Sequence, residues 1–383
     1  MHIDEVKVYR VMLPFRGDFA ISRLRGLHSN AIVVEVIADK GKIRGYGEGV
    51  PIEFVTGETP DSAMKSVELL AQKDWFPWEL NSISQIFDFV DSLPNGKEHN
   101  SAICALEMSL LDALGKSENK SILEYFPRKF CTSKVRYGAS VTLGNRERVT
   151  EICQLIRNLG IGHLRIKMGK DFEQNKDAVK VVNTVFGDDC ELRIDPNGVW
   201  DRDLAFKHLN LISKYGIKIV EEPMMRHSPG FTEFSKILKA RDVILMACES
   251  APTLKDIREI IEEGYYQMIN VKLSRSGGFR RSLRIVEYLR AKGIPFQIGC
   301  TLGESGLLSA AGRVFGLLCR DAVYYDGSYD EFLLEKNITS ENVSFGPGGE
   351  AGPLGGPGLG VEVDSDSLAR LTDSSAIRTI SKP

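Results

Sequence analysis

The sequence has no apolar run approaching the ~20 residues that a membrane span requires, so no membrane partner is expected. It has no CxxC pair, and its seven cysteines are scattered and odd in number. That pattern argues for reduced thiols and a cytoplasmic home. Histidine is sparse as well: the six residues show no metal-ligand spacing, and His28, His99, His163 and His208 read as structural or surface groups. No block of like charge stands out. A formal net charge of −3 gives no reason to expect nucleic acid or an anionic membrane surface as a partner. The first ten residues, MHIDEVKVYR, alternate polar and apolar as a strand does, so no signal peptide is expected.

What is present is a long chain with enough apolar material for a sizeable core: 383 residues, 43% hydrophobic. From Val135 onward it alternates regularly. Strand-like runs fall at 135–143, 163–169, 191–197, 217–223, 243–249, 267–274, 294–301 and 322–326, with helical stretches between them at 147–159, 172–185, 201–214, 230–239, 253–263, 279–291 and 304–319. Strand and helix recurring roughly 24 to 28 residues apart favour a parallel sheet, and eight strands favour closure. The expected fold class is α/β, a (β/α)7β TIM-like barrel over 131–344 preceded by an α+β capping domain over 1–130. In that first part, 3–13 and 31–38 read as strands, and 59–72, 82–93 and 101–114 as helices. Residues 15–30 (FRGDFAISRLRGLHSN) are basic and lack a clear period, and they read either as an ordinary connector or as a mobile lid. The segment 345–383, rich in Gly and Pro up to 360, is expected to return to the capping domain.

Charge collects at the ends of the barrel runs. Residues 192–200 (LRIDPNGVW) carry Asp195 where the apolar run stops before Pro-Asn-Gly. An isolated aspartate there would equally read as a turn former that bonds its own backbone. Its company argues otherwise: Arg165 and Lys167 share one face of HLRIKMG, Glu221 and Glu222 close IKIVEEP, Cys248 and Glu249 close VILMACES, and Lys272 lies in QMINVKLS. The carboxyl ends of parallel strands open into the loops that form an active-site mouth, so two lysines and several carboxylates converging there point to catalysis.

In this order the motifs resemble the enolase superfamily, in its muconate-lactonizing and dipeptide-epimerase-like (mandelate racemase) branch. The likeness covers nearly the whole chain. It runs through TGET at 56–59, Arg165-Ile166-Lys167 at the KxK position, Asp195 with Asn197 as D-x-N, Glu221 in I-E-x-P, Cys248-Glu249-Ser250 at D-E-S, and NVKLSRSGG at 270–278. The resemblance implies an isomerase that removes a proton α to a carboxylate through an enediolate, with Mg²⁺, or Mn²⁺ in its place, held by Asp195, Glu221 and a third ligand. That general chemistry is known for the superfamily. Lys167 and Lys272 would be the acid and base on opposite faces of the carbon, and Arg165 an electrostatic partner, since a guanidinium does not give up its proton. Racemisation or epimerisation of an N-acyl amino acid or a dipeptide is the leading implication. A cycloisomerase, a syn-dehydratase or a catalytically silent carboxylate-binding homologue stands beside it. The resemblance also implies a homo-oligomer, and it places 15–30 over the barrel mouth, with Arg23 and Arg25 reaching an anionic substrate.

Three positions depart from the family pattern. Tyr324-Tyr325-Asp326 keeps only the second acid of an Asp-x-Asp that would hold a substrate ammonium group, leaving Asp326 as the substrate-binding candidate there. Glu304 in GCTLGES reads either as a protonated acid bonded to the substrate carboxylate or as a helix N-terminal glutamate. Cys248 stands where the family has the third acidic ligand. A soft thiol suits Mg²⁺ poorly, so the expectation is that Glu249 supplies the oxygen, provided the strand end twists or bulges.

Overall fold

The structure, a computed structural model, describes residues 1–20 and 25–382. Strands Ile3–Ala20, Arg25–Ala38 and Ile43–Gly49 form an antiparallel sheet, and Arg378–Ser381 near the C-terminus adds to its Ile3–Ala20 edge. A helix spanning Asn100–Glu118, buried along nearly its whole length, crosses this sheet. The third strand explains how it approaches so closely. Gly45, Gly47 and Gly49 share one face, and a Cβ on them would lie 2.3, 2.1 and 2.1 Å from the carbonyl oxygens of Ser109, Ala105 and Ser101. Period two on the strand thus meets period four on the helix, and only glycine leaves room.

The eight barrel strands are Ala139–Val141, His163–Lys167, Glu191–Asp195, Ile219–Glu221, Ile244–Ala247, Met268–Val271, Phe296–Ile298 and Tyr324–Tyr325, paired in parallel in chain order. The Gly138 N–H donates to Tyr325 O at 2.8 Å, and a parallel bridge joins Tyr137 to Tyr325, so the last strand meets the first. Eight helices lie between them, from Arg146–Asn158 to Gly306–Leu317, two of which, Leu273–Ser276 and Gly278–Lys292, follow the sixth strand. The expected first run, 135–143, divides at Gly138: Val135–Arg136 pairs antiparallel with Glu350–Ala351, and only Ala139–Val141 joins the barrel. The tail returns to the first part, where Leu359 N donates to Asp112 Oδ1 at 2.8 Å.

Of the stretch expected as a connector or a lid, residues 15–20 and 25–30 are described, and both are strand. The strands Ile3–Ala20 and Arg25–Ala38 continue through most of this stretch as a ribbon, still paired at Ala20 with Arg25 after an irregularity between Pro14 and Phe19. Bridging of Phe15 to Leu334 and a 2.7 Å bond from Arg16 Nε to Leu334 O tie the ribbon to the segment that follows the last barrel strand. Arg23 lies outside the described residues, and Arg25 is described as a strand position only.

Candidate active site

Parallel register sets the site. Lys167 and Asp195 are the last residues of adjacent strands and direct Cα partners, so their side chains leave the barrel at one level. Lys167 Nζ stands 2.5 Å from Asp195 Oδ2 and 3.2 Å from Asn197 Oδ1. Asn197, at φ 52°, turns its N–H back to Asp195 Oδ1 (2.9 Å) and donates from Nδ2 to Glu249 Oε1 (2.8 Å). The D-x-N motif therefore joins three strand ends through one side chain.

Arg165, two residues before Lys167 and on the same face, is 4% exposed and closes the floor. Its NH1 lies 3.3 Å from Glu221 Oε2, 3.2 Å from Asp326 Oδ2 and 3.9 Å from Asp195 Oδ2, and its NH2 bonds Ser140 Oγ at 2.9 Å. Glu221 also accepts from Asn270 Nδ2 at 2.7 Å. Burial works to raise the Glu221 carboxyl, yet Arg165 and Lys272 hold it well below the usual range. Burial, with the neighbouring Glu221 charge, pushes Asp195 the other way.

Below this level the barrel interior is polar. Arg193, fully buried, bonds Gln297 and pairs with Asp326 Oδ1 at 3.0 Å, while Gln297 Nε2 donates to Asp326 Oδ2 at 3.0 Å. Asp326 was expected to touch substrate. It is instead 2% exposed, with both oxygens engaged by Arg193, Gln297 and Arg165, and it does not line the cavity. Sequence reasoning passed over Arg193, although it shares a face with Asp195 just as Arg165 does with Lys167. Replacing Asp326 with alanine would leave the buried Arg193 guanidinium without a carboxylate partner, so about 3–5 kcal/mol of stability should be lost, read from the denaturant midpoint. Arg193 holds the Asp326 carboxyl low against the effect of burial. Its contribution is therefore present above the unfolded pKa of ~4 and is lost as pH falls through the depressed folded value.

Adjacent Glu222 lies just past the strand end, at φ 36°, and its side chain meets other partners than Glu221's. Its carboxylate, fully buried, accepts from Cys248 N (2.8 Å), Ser250 N (3.0 Å), Ser250 Oγ (2.6 Å) and Tyr266 OH (2.8 Å). This clamp shapes the turn after Ala247, where the fifth barrel strand stops, and there both Cys248 and Glu249 face the cavity. Cys248 Sγ is 3.0 Å from Arg275 NH1 and 3.8 Å from Asn270 Nδ2.

The cavity above is lined by Arg165, Lys167, Asn197, Cys248, Glu249 and Lys272, with Arg275, Thr301 and Glu304 beside them. Toward the mouth Phe54, Leu143, Ile152, Leu155, Phe332 and Leu333 form an apolar wall, and Arg16 of the ribbon reaches it. Lys272 has no hydrogen-bond partner among the described residues. Burial disfavours its charge, but Cys248 and Glu221 more than offset this and raise it above the ordinary lysine value. Glu304 Oε2 accepts from Thr301 N at 2.8 Å, and burial, opposed by that bond and aided by Glu48 and Asp330, pushes it up to about 8. His208 is structural, as expected: it stacks on Trp200 at 3.9 Å, and burial brings it down to about 4.

Among the described residues no group of three His, Cys, Asp or Glu side chains is drawn together to hold a metal ion. Asp195 and Glu221 are fully buried, and Lys167 and Arg165 take their oxygens in ion pairs. The donor types nevertheless fit a hard divalent cation: Asp195, Glu221 and Glu249 offer oxygen only, and the buried Glu249 Oε2 has no hydrogen-bond partner. Cys248 fits less well, because its sulfur faces a guanidinium.

The chain is similar over nearly its whole length to several known proteins. The hydrophobic dipeptide epimerase of Enterococcus faecalis (strain ATCC 700802 / V583) is 24% identical over 385 residues, covering 98% of this chain and 99% of that one. The N-succinyl-L-Arg/Lys racemase of Bacillus cereus (strain ATCC 14579) is 24% identical over 379 residues, covering 97% and 98%. The crystal structure of a dipeptide epimerase from Cytophaga hutchinsonii, complexed with Mg and the dipeptide D-Ala-L-Val, superposes with a TM-score of 0.84 at 24% identity, over 99% of this chain and all of that one. The family described as enolase C-terminal domain-like matches residues 147–367, which contain Lys167, Asp195, Glu221, Glu249 and Lys272. The chain belongs to that family, within the enolase superfamily that its strand-end motifs resemble.

Proposed function

We propose that this protein removes a proton α to a carboxylate and returns one to the same carbon, racemising or epimerising an amino-acid derivative. The observation that carries the reading is the placement of two lysines. Lys167 ends the second barrel strand, Lys272 follows the sixth, and both line one cavity. In a ring of eight, second and sixth strands lie opposite, so the lysines address opposite faces of a carbon held between them. One would take the proton and the other would deliver it. Asp195, Glu221 and Glu249 would hold Mg²⁺, or Mn²⁺ in its place; when bound, the cation supplies positive charge for the developing enediolate. Arg165 would orient Glu221 and Asp195 from below.

Dipeptide epimerisation and N-succinyl amino acid racemisation, named for two relatives, support an amino-acid derivative as substrate. The apolar wall suits a hydrophobic side chain or acyl group. With Asp326 engaged below the cavity, an N-acyl amino acid fits better than a dipeptide with a free ammonium group. We also propose that residues 1–130 form a cap, 131–344 the barrel and 345–383 a returning segment, in a cytoplasmic homo-oligomer. All seven cysteines are free, and no helix among the described residues is long and apolar enough to cross a membrane. The test is a screen of N-acylated amino acids and dipeptides in deuterated water with Mg²⁺. Racemisation with deuterium at the α carbon is expected; a substrate converted without deuterium in both enantiomers would reject the reading.

Glu304 adds a pH prediction. Below about 8 its carboxyl is protonated and can donate to a ligand carboxylate; above that it ionises and repels one. Affinity for an N-acyl amino acid should fall as pH rises through about 8, and Glu304→Gln, which keeps a donor without the charge, should flatten the profile. An unchanged pH dependence in the glutamine variant would assign Glu304 to helix capping alone.

A further inference from the structure

The cavity that holds the two lysines does not end inside the barrel. On the first barrel strand Ser140 is the Cα partner of Arg165 and faces inward with it, whereas Ala139 and Val141 are the partners of Leu164 and Ile166 and face the outer ring of helices. Ser140 and Ala139 both line the cavity, and so do Ile156, Leu159 and Ile161, toward the C-terminal end of the helix Arg146–Asn158 and just beyond it. The space therefore passes the end of the first strand and continues outside it. The topology leaves room there, because no full helix follows the last strand. After Tyr324–Tyr325 the chain makes one short turn of helix at Asp330–Leu333 and another at Pro347–Gly349. A 2.6 Å bond from Gly348 N to Leu159 O closes the far side, with Phe345 packed on Tyr137 and Phe332 at ring-centroid distances of 5.7 and 5.4 Å. This branch is apolar. The helix Arg146–Asn158 buries Val149, Cys153 and Ile156, yet it also turns Ile152 and Leu155 to the cavity, in line with Leu159. Leu155 is 49% exposed and Phe332 36%, and such a contiguous apolar lining left open marks a ligand site.

We propose that this branch is a channel for the N-acyl chain of the substrate, and that the protein acts on amino acids acylated with chains of several carbons in preference to acetyl. The proposal rests on the function proposed above, which holds the reacting carbon between Lys167 and Lys272. Asp195 and Glu221 end the third and fourth strands, and Glu249 follows the fifth. In a ring of eight, the side left for the other substituents of that carbon is then formed by the seventh, eighth and first strands, and the channel opens there. Ser140 decides which substituent enters. Its Oγ accepts from Arg165 Nε at 3.2 Å and NH2 at 2.9 Å, and among the described residues its own proton has no acceptor. An acyl carbonyl passing Ser140 would accept that proton, whereas an alkyl side chain would leave it unanswered.

The test is calorimetric titration of the full-length protein, with Mg²⁺ present, using N-acyl-L-alanines from acetyl to hexanoyl. Wild-type affinity should rise about threefold with each added methylene, and so by about eightyfold over the series, as burial of a growing alkyl chain requires. Ala139→Met puts a flexible side chain into the channel, and Leu155→Gln places a neutral helix former at a half-exposed position. Each should cut the gain over the series to below about tenfold, and the glutamine variant keeps the test decisive if the methionine variant fails to fold. A flat series in wild type, or the full gain retained in either folded variant, would overturn the proposal. So would a gain that comes from lengthening the side chain, as in N-acetyl-L-norleucine, in place of the acyl chain. The two readings fail separately. If wild type exchanges α protons but its affinity ignores acyl length, only the channel is wrong; if affinity follows acyl length through Ala139 and Leu155 but no N-acyl amino acid exchanges, only the reaction is wrong.

Discussion

Replacing Lys272 with alanine is expected to lower racemisation by about 10²–10⁴-fold, the usual contribution of a positioned acid or base, and Lys167→Ala should do the same. Neither loss should come from unfolding, because neither side chain fills the apolar core. The lysines start from different states. Among the described residues Lys272 has no hydrogen-bond or ion-pair partner, and nearby Glu221 favours its protonated form against burial, whereas Lys167 is clamped 2.5 Å from Asp195 Oδ2. The ordinary alternative for Lys167 is therefore a salt bridge on the barrel rim. Kinetics and metal binding separate the two. A rim salt bridge predicts near-normal racemisation in Lys167→Ala. The acid–base role predicts racemisation lost while divalent-metal affinity is kept or improved, since the variant removes an ammonium that competes for an Asp195 oxygen.

Glu249→Gln is expected to bring Mg²⁺ binding below detection in a calorimetric titration, and Cys248→Asp to strengthen it. Two carboxylates, Asp195 and Glu221, are held in ion pairs with Lys167 and Arg165, so a cation must compete with two fixed positive charges for each oxygen it gains. A third carboxylate then decides whether binding is favourable. Glu249 offers it, with one oxygen bonded by Asn197 and the other buried and unpartnered. An amide at this position keeps the shape and removes the charge. Cysteine at 248 contributes a soft sulfur facing Arg275, and aspartate there would add hard oxygen beside the same two acids. A Glu249→Gln protein that binds Mg²⁺ normally would remove Glu249 from the ligand set.

The alternation of strand and helix after Val135 was legible because a barrel repeats one simple unit, and the period of each unit survives in a single sequence. The strand-end positions of Lys167, Asp195 and Glu221 followed from the same pattern. What the pattern does not carry is which neighbour each side chain meets across the barrel. Asp326 directly follows its strand, yet Arg193 and Gln297, distant in sequence, draw it under the floor. Arg275 stood in a quoted motif, but its contact with the Cys248 sulfur is one that only the fold brings about. The strand extensions at 15–20 and 25–30 were missed for a related reason: the stretch has no sequence alternation, and Phe15 and Arg16 find their partner in Leu334, far along the chain. Strand Arg378–Ser381 is four residues long and owes its form to the edge it joins.

The central claim is that two lysines serve opposite faces of one carbon. It is tested most directly by following α-deuteration of each enantiomer of a racemising substrate separately, in deuterated water, with Lys167→Ala and Lys272→Ala. The account predicts complementary behaviour: neither variant racemises, and any exchange that survives is confined to one enantiomer in Lys167→Ala and to the other in Lys272→Ala. Exchange of the same enantiomer by both variants, or near-normal racemisation by either, would contradict it.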